Sequence, residues 1–108
     1  MSRAARSIDR EPELAGLPGA DLVAPGLVDR RRGRESPEAA LVEVAHGRLR
    51  ALGLAEALPP PQPLPELRLY ERLGQKYPGR DPYPIYCAWL EQLDSFLWAM
   101  YAVRRRAG

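Results

Sequence analysis

The C-terminal part of the chain carries an apolar pattern that restricts the possible fold more than any other feature of the sequence. From Pro82 or Pro84 to about Arg105, projection at 100° per residue gathers the large apolar side chains on one arc of about 160°. These side chains belong to Ile85, Tyr86, Trp89, Leu90, Leu93, Phe96, Leu97, Met100 and Tyr101. So wide an arc predicts a long central helix that contacts two or three others, with a ligand or cofactor pocket along it as the alternative.

Two shorter helices are predicted in the first half of the chain. One starts near Asp21 and ends at an arginine run, with Pro25 either in its first turn or at a bend. The other has the clearest start signal, because Ser36 can cap it and a proline follows as the first helical residue. Its apolar spacing predicts a helix over 37–52 with Leu41 and Leu49 facing the core.

The proline-rich segment 58–65 is predicted to be an extended connector. Each proline lacks a backbone N–H and disfavours helix at the residue before it. A further short helix is expected to begin near Pro65 and to end near Gly74, and Asp81 then offers the N-cap of the long helix. No alternation of β-branched and polar residues predicts a strand.

Length and composition are those of one small domain. With 108 residues and 45% hydrophobic content, the chain can bury a single core. We expect residues 1–18 to form a flexible N-terminal segment and residues 19–108 one helical domain. The single cysteine and the lack of a signal-peptide pattern or a long apolar run predict a cytoplasmic protein outside the membrane.

The basic residues show a strong bias, since all except Lys76 are arginine, and the chain contains neither Asn nor Thr. This bias favours a GC-rich coding sequence, and a thermophilic source would further account for the missing Asn. The formal charge of +2 is too balanced to indicate nucleic-acid binding by itself.

Catalytic chemistry finds little support in the sequence. His46 is the only histidine and is expected in an exposed charged row with Glu43 and Arg50. It lacks the second ligand or nucleophile that metal binding or hydrolysis would require. Cys87 is expected to be a buried, inert thiol. The sequence contains no glycine-rich phosphate loop and no paired metal-ligand motif, so we predict no catalytic residue, metal or cofactor.

Trp98 and two arginine clusters are the candidate binding residues. Trp98 projects to the polar side of the long helix, where the N-terminal segment covers it or it anchors a protein partner. The clusters lie at predicted helix ends and consist of Arg30, Arg31, Arg32 and Arg34 in one and of Arg104, Arg105 and Arg106 in the other. Three interpretations of the clusters are open. They complement the helix dipoles, they form a phosphate-binding patch if the fold brings both to one face, or they form salt bridges with an acidic partner.

These patterns predict an all-α domain of about four helices without enzymatic activity. The expected function is a protein-interaction module that self-associates or serves as an accessory subunit, with Trp98 and residues 104–106 in contact with the partner. The alternative is a nucleic-acid-associated regulator, of the antitoxin kind for example, that uses the cluster at residues 30–34.

Overall fold

The computed structural model describes residues 14, 16–55 and 58–107, which form five α-helices and no strand. The helices are α1 (Ala20–Arg31), α2 (Pro37–Val44), α3 (His46–Ala51), α4 (Pro65–Lys76) and α5 (Pro82–Ala107). The all-α fold with a long C-terminal helix and a proline-rich connector is therefore confirmed. Within these residues, none of the helices has both the length and the apolar character that crossing a membrane requires.

The local start and stop signals act as the sequence predicts. Ser36 Oγ accepts a hydrogen bond from the Ala39 N–H at 3.0 Å and caps α2. Asp81 Oδ1 accepts one from the Tyr83 N–H at 3.1 Å before α5. Gly33 adopts a φ of 68° just after α1, a left-handed conformation that glycine reaches without steric strain.

Two helices differ from the prediction in detail. The segment expected as one helix over 37–52 divides at Ala45, where the backbone N–H bonds to the Val42 carbonyl three residues back. Val42, Val44 and Gly47 are all weak helix formers, and the break lets both halves keep an apolar face on the core. In α1, Pro25 lies beyond the first turn, on the exposed side of the helix. Water can solvate the carbonyl that its missing N–H leaves free.

The core lies where α2 meets the other helices, since α2 packs against all four of them. Its inward residues Leu41 and Val42 are fully buried. The long helix α5 adds most of its predicted apolar face to this core through Trp89, Leu93, Phe96 and Leu97. Tyr101, which the sequence predicts on the same arc, is exposed instead, at the edge of that arc nearest Trp98. The remaining core residues come mainly from α1, α3 and α4, namely Val23, Leu27, Leu49, Leu69 and Leu73.

Gly26 allows α1 and α2 to approach closely. A Cβ at this position would overlap the backbone oxygen of Glu38 and Cγ2 of Val42. Only glycine therefore permits α1 and α2 to pack at this distance.

The start of the described chain already contacts the core. Leu14 is 5% exposed and belongs to the core, and Leu17 packs against it. Both residues lie within the segment 1–18 that the sequence predicts to be flexible, so the packed part of the chain begins before residue 19. Residues 1–13 and 15 of that segment lie outside the described residues.

Candidate interaction surface

The C-terminal half of α5 presents a large aromatic side chain to solvent. Trp98 is 75% exposed and lies on the side of the helix opposite Trp89, which is buried. The described residues leave Trp98 exposed to solvent; of the N-terminal segment that the sequence offers as its cover, residues 1–13 and 15 lie outside the described part of the chain. A tryptophan in water retains most of its apolar area for contact with another molecule.

We define the Trp98 face as the solvent-exposed side of α5 around this residue. It comprises Glu91, Asp94, Ser95, Trp98, Tyr101, Ala102 and Arg105, all of which are exposed. The Trp98 and Tyr101 rings meet edge to face, with centroids 6.5 Å apart and planes at 71°. This contact limits the freedom of both rings, so less rotamer entropy is lost when a partner covers them.

Charge is distributed unevenly along the Trp98 face. Glu91 and Asp94 precede the aromatic pair, and Arg105 follows it. Asp94 also lies 3.5 Å from Arg48 of α3, an exposed and therefore weak ion pair. Arg104 lies outside the face, about 120° around the helix from Trp98, and its Nη1 donates to the Ala51 carbonyl at the end of α3 at 3.2 Å. The predicted partner-binding residues thus share one exposed segment, with Arg104 tied to the bundle.

The arginine cluster after α1 divides between the interior and the surface. Arg30 Nη1 lies 3.2 Å from Glu43 Oε1, and its Nη2 donates to the carbonyls of Pro59 and Pro60 at 2.9 and 3.2 Å. Only 11% of the Arg30 side chain is exposed, so this guanidinium is used inside the protein. Arg31 is half-buried, whereas Arg32 and Arg34 are exposed.

Glu43 is a buried carboxylate whose position the sequence pattern predicts wrongly. The sequence predicts this residue in an exposed charged row, yet it is only 2% exposed. Its Oε1 accepts a hydrogen bond from the Gln62 N–H at 3.1 Å, and its Oε2 accepts one from Arg68 Nη1 in addition to the Arg30 contact. Two arginines and a backbone amide replace the water that this carboxylate loses on burial.

The network around Glu43 holds the proline-rich connector against the bundle. Arg30 binds two connector carbonyls, and Glu43 binds a connector amide. The connector is therefore fixed by polar contacts, while its residues 59–64 remain exposed. One local signal for the burial of Glu43 is that it follows Ala39 by one helical turn and so lies on the same side of α2. The groups that bind its carboxylate come from other elements and give no local signal.

A charged groove of about 520 Å³ separates α4 from the start of α2. It is lined by Glu35, Ser36, Pro37, Arg68, Glu71, Arg72, Gln75 and Lys76. Arg72 pairs with Glu35 at 3.1 Å, and Lys76 pairs with Glu38 at 3.6 Å. Its cations are thus mostly neutralised by carboxylates of the same protein.

The remaining chemical candidates are dispersed. The exposed row that the sequence predicts for His46 does not form, because Glu43 is buried and the helix divides at Ala45. His46 is half-buried beside Arg50, on a small cavity that Leu58 and Pro60 also line. Cys87 is half-buried, less than the sequence predicts, and its hydrogen bond with Tyr83 raises the pKa of that phenol above the ordinary value of 10.0. Among the residues that the structure describes, no three His, Cys, Asp or Glu side chains gather as metal ligands would.

Comparisons with protein-family models, with curated proteins and with solved structures find no match to this chain.

Proposed function

We propose that the protein is a non-enzymatic interaction module that binds another protein chain through the Trp98 face of α5. The observation that carries the proposal is Trp98, which is 75% exposed on the outer side of a well-packed helix. Tryptophan is enriched among residues that dominate binding energy at interfaces, because it buries a large rigid surface with little loss of conformational freedom.

The surroundings of Trp98 support a protein partner. Tyr101 is also exposed, at 39%, and its ring contacts that of Trp98, so the apolar surface is broader than one side chain. Polar and charged groups border it, as at the rim of a protein interface. Glu91 and Asp94 lie on the same face and would repel a nucleic-acid backbone or an anionic lipid surface.

The arginines of the bundle favour the same proposal over the nucleic-acid alternative. Arg30, Arg68 and Arg72 are engaged by carboxylates of the protein itself. Phosphate binding would depend on the remaining exposed arginines, chiefly Arg32 and Arg34 and the C-terminal run at residues 104–106.

The test compares Trp98→Ala with Tyr83→Ala as a matched control. Tyr83 is 59% exposed on the same helix but lies in its first turn, away from the Trp98 face. Tagged wild-type and variant proteins would be purified from their native cells with and without nuclease, together with a differently tagged second copy. Candidate partners would then be titrated against the purified variants.

We expect Trp98→Ala to weaken partner binding by about 2 kcal/mol or more, roughly thirtyfold, while Tyr83→Ala binds like the wild type. Association that survives nuclease and depends on Trp98 supports the proposal. Binding that is lost on nuclease treatment and depends on residues 104–106, with Trp98→Ala unchanged, contradicts it and favours the nucleic-acid alternative.

A further inference from the structure

The Trp98 face has a charge pattern that is complementary to itself. Glu91 precedes Trp98 by seven residues and Arg105 follows it by seven, and all three are exposed. Seven residues are close to two helical turns, so the three side chains lie in one row along α5. The row therefore has an acidic end, an aromatic centre and a basic end at equal spacing.

We infer that this face binds the same face of a second copy, with the two α5 helices antiparallel and a two-fold axis at Trp98. This inference rests on the proposed function and names the partner. In such a pair, a residue a given number of positions before Trp98 faces the residue the same number after it in the other copy. Glu91 of each copy then faces Arg105 of the other, which produces two equivalent ion pairs.

Side-chain size agrees with this arrangement. The same register places Tyr101 opposite Ser95 and Asp94 opposite Ala102, so each larger side chain meets a small one. Ser95 and Ala102 are exposed, which leaves room for a second helix to approach at about 8–10 Å between axes. The two Trp98 rings lie next to the two-fold axis, where each covers the other.

The charge pattern also selects the orientation. Parallel helices in the same register would place Glu91 against Glu91 and Arg105 against Arg105, and both contacts are repulsive. A partner that used only the arginines or only the carboxylates would leave the opposite end of the face without a complementary charge. A second antiparallel copy satisfies both ends at once.

The structure leaves the end of α5 free for such pairing. Residues 101–106 are all exposed, and the hydrogen bond from Arg104 to Ala51 leaves from the helix about 120° away from Trp98. At about 1.5 Å per residue, α5 spans about 39 Å and α4 about 18 Å, so most of the C-terminal half of α5 lies beyond the reach of its hairpin partner. A second copy would bury the aromatic surface that the bundle does not cover.

Charge exchange tests the inference directly. The variants are Glu91→Arg, Arg105→Glu and the double variant, with Glu66→Arg and Arg80→Glu as controls that make the same charge changes at exposed positions outside the face. Sedimentation equilibrium would give each dimer Kd, and circular dichroism would confirm that each variant retains its helix content.

We expect each single variant to raise the dimer Kd by about tenfold or more, because two attractive contacts per dimer become repulsive. The double variant should dimerise like the wild type. A mixture of the two single variants should form a heterodimer, because both of its contacts are then attractive. The inference is overturned if the single variants have the same dimer Kd as the controls. It is also overturned if the mixture of Glu91→Arg and Arg105→Glu stays monomeric.

The orientation has a separate measurement at Cys87, the only cysteine of the chain. Spin labels at this position should be about 35 Å apart in the antiparallel dimer, against about 10–15 Å for a parallel pair in register. A short distance would refute the antiparallel arrangement.

Failure of this inference and failure of the proposed function have different signatures. A wild-type protein that stays monomeric at millimolar concentration, but whose capture of another protein depends on Trp98, refutes the second copy as partner and leaves the proposed function standing. If Trp98→Ala alters neither self-association nor capture, the proposed function itself fails.

Discussion

Replacing the buried carboxylate Glu43 should destabilise the fold more than any other charge neutralisation among the described residues. Glu43→Gln keeps the size of the side chain and removes its charge. The substitution replaces one acceptor oxygen by an NH₂ group, which is a donor and cannot accept a hydrogen bond from a guanidinium group. The guanidinium groups it faces belong to Arg30 and Arg68, whose side chains are only 11% and 19% exposed. The arginines then lose the carboxylate that compensates for their burial.

The magnitude follows from the contacts that are lost. Breaking a buried ion pair by removing one partner costs about 3–5 kcal/mol, and Glu43 serves two arginines. A domain of this length is stable by only about 5–15 kcal/mol, so the loss is a large fraction of the total. It corresponds to a decrease in Tm of more than about 10 °C.

Urea denaturation followed by circular dichroism would measure this effect. The control is Glu71→Gln, the same substitution at an exposed position of α4, which should change the free energy of unfolding by less than about 0.5 kcal/mol. The rate of hydrogen exchange at the Gln62 backbone amide is a second measurement, because that N–H donates to Glu43 Oε1. We expect this rate to rise in Glu43→Gln. Equal midpoints for the two variants, with unchanged Gln62 exchange, would refute the reasoning.

Four further predictions test other parts of the structure. Leu93→Ala should cost about 2–5 kcal/mol in urea denaturation, since Leu93 is 1% exposed, and an unchanged midpoint would mean that the core face of α5 is wrong. Gly26→Ala should cost about 1–3 kcal/mol by the same measurement, because its Cβ meets the α2 backbone; wild-type stability would show that α1 and α2 are not in close contact. His46→Ala and Cys87→Ser should leave partner affinity unchanged, because neither residue belongs to the Trp98 face, and a folded variant that no longer binds would contradict the placement of the interaction surface there. Cys87→Ala should also lower the pKa of Tyr83 in a spectrophotometric titration, because the hydrogen bond with the Cys87 side chain is the largest cause of its rise above 10.0, with burial and Tyr86 adding to it; an unchanged titration would contradict this contact.

Local interactions explain why the elements could be predicted. The N-caps at Ser36 and Asp81 and the left-handed Gly33 depend on hydrogen bonds and backbone angles within a few residues, so they are visible in the sequence. The apolar arc of α5 predicted its buried side for the same reason, because helical periodicity is a local property. That periodicity also placed Trp98 opposite the core, although it left open what covers it.

Tertiary structure alone decided the position of Glu43 and the use of the first arginine cluster. A carboxylate in a helix is usually solvated, and its burial requires Arg30, Arg68 and the Gln62 amide to converge from distant points of the chain. The division of the second helix at Ala45 and the exposure of Trp98 likewise depend on which helices pack together. The sequence by itself determined the helices and their apolar faces, because these depend on neighbours along the chain. The fold decided which charges are buried and which aromatic ring stays exposed, because both depend on groups that only packing brings together.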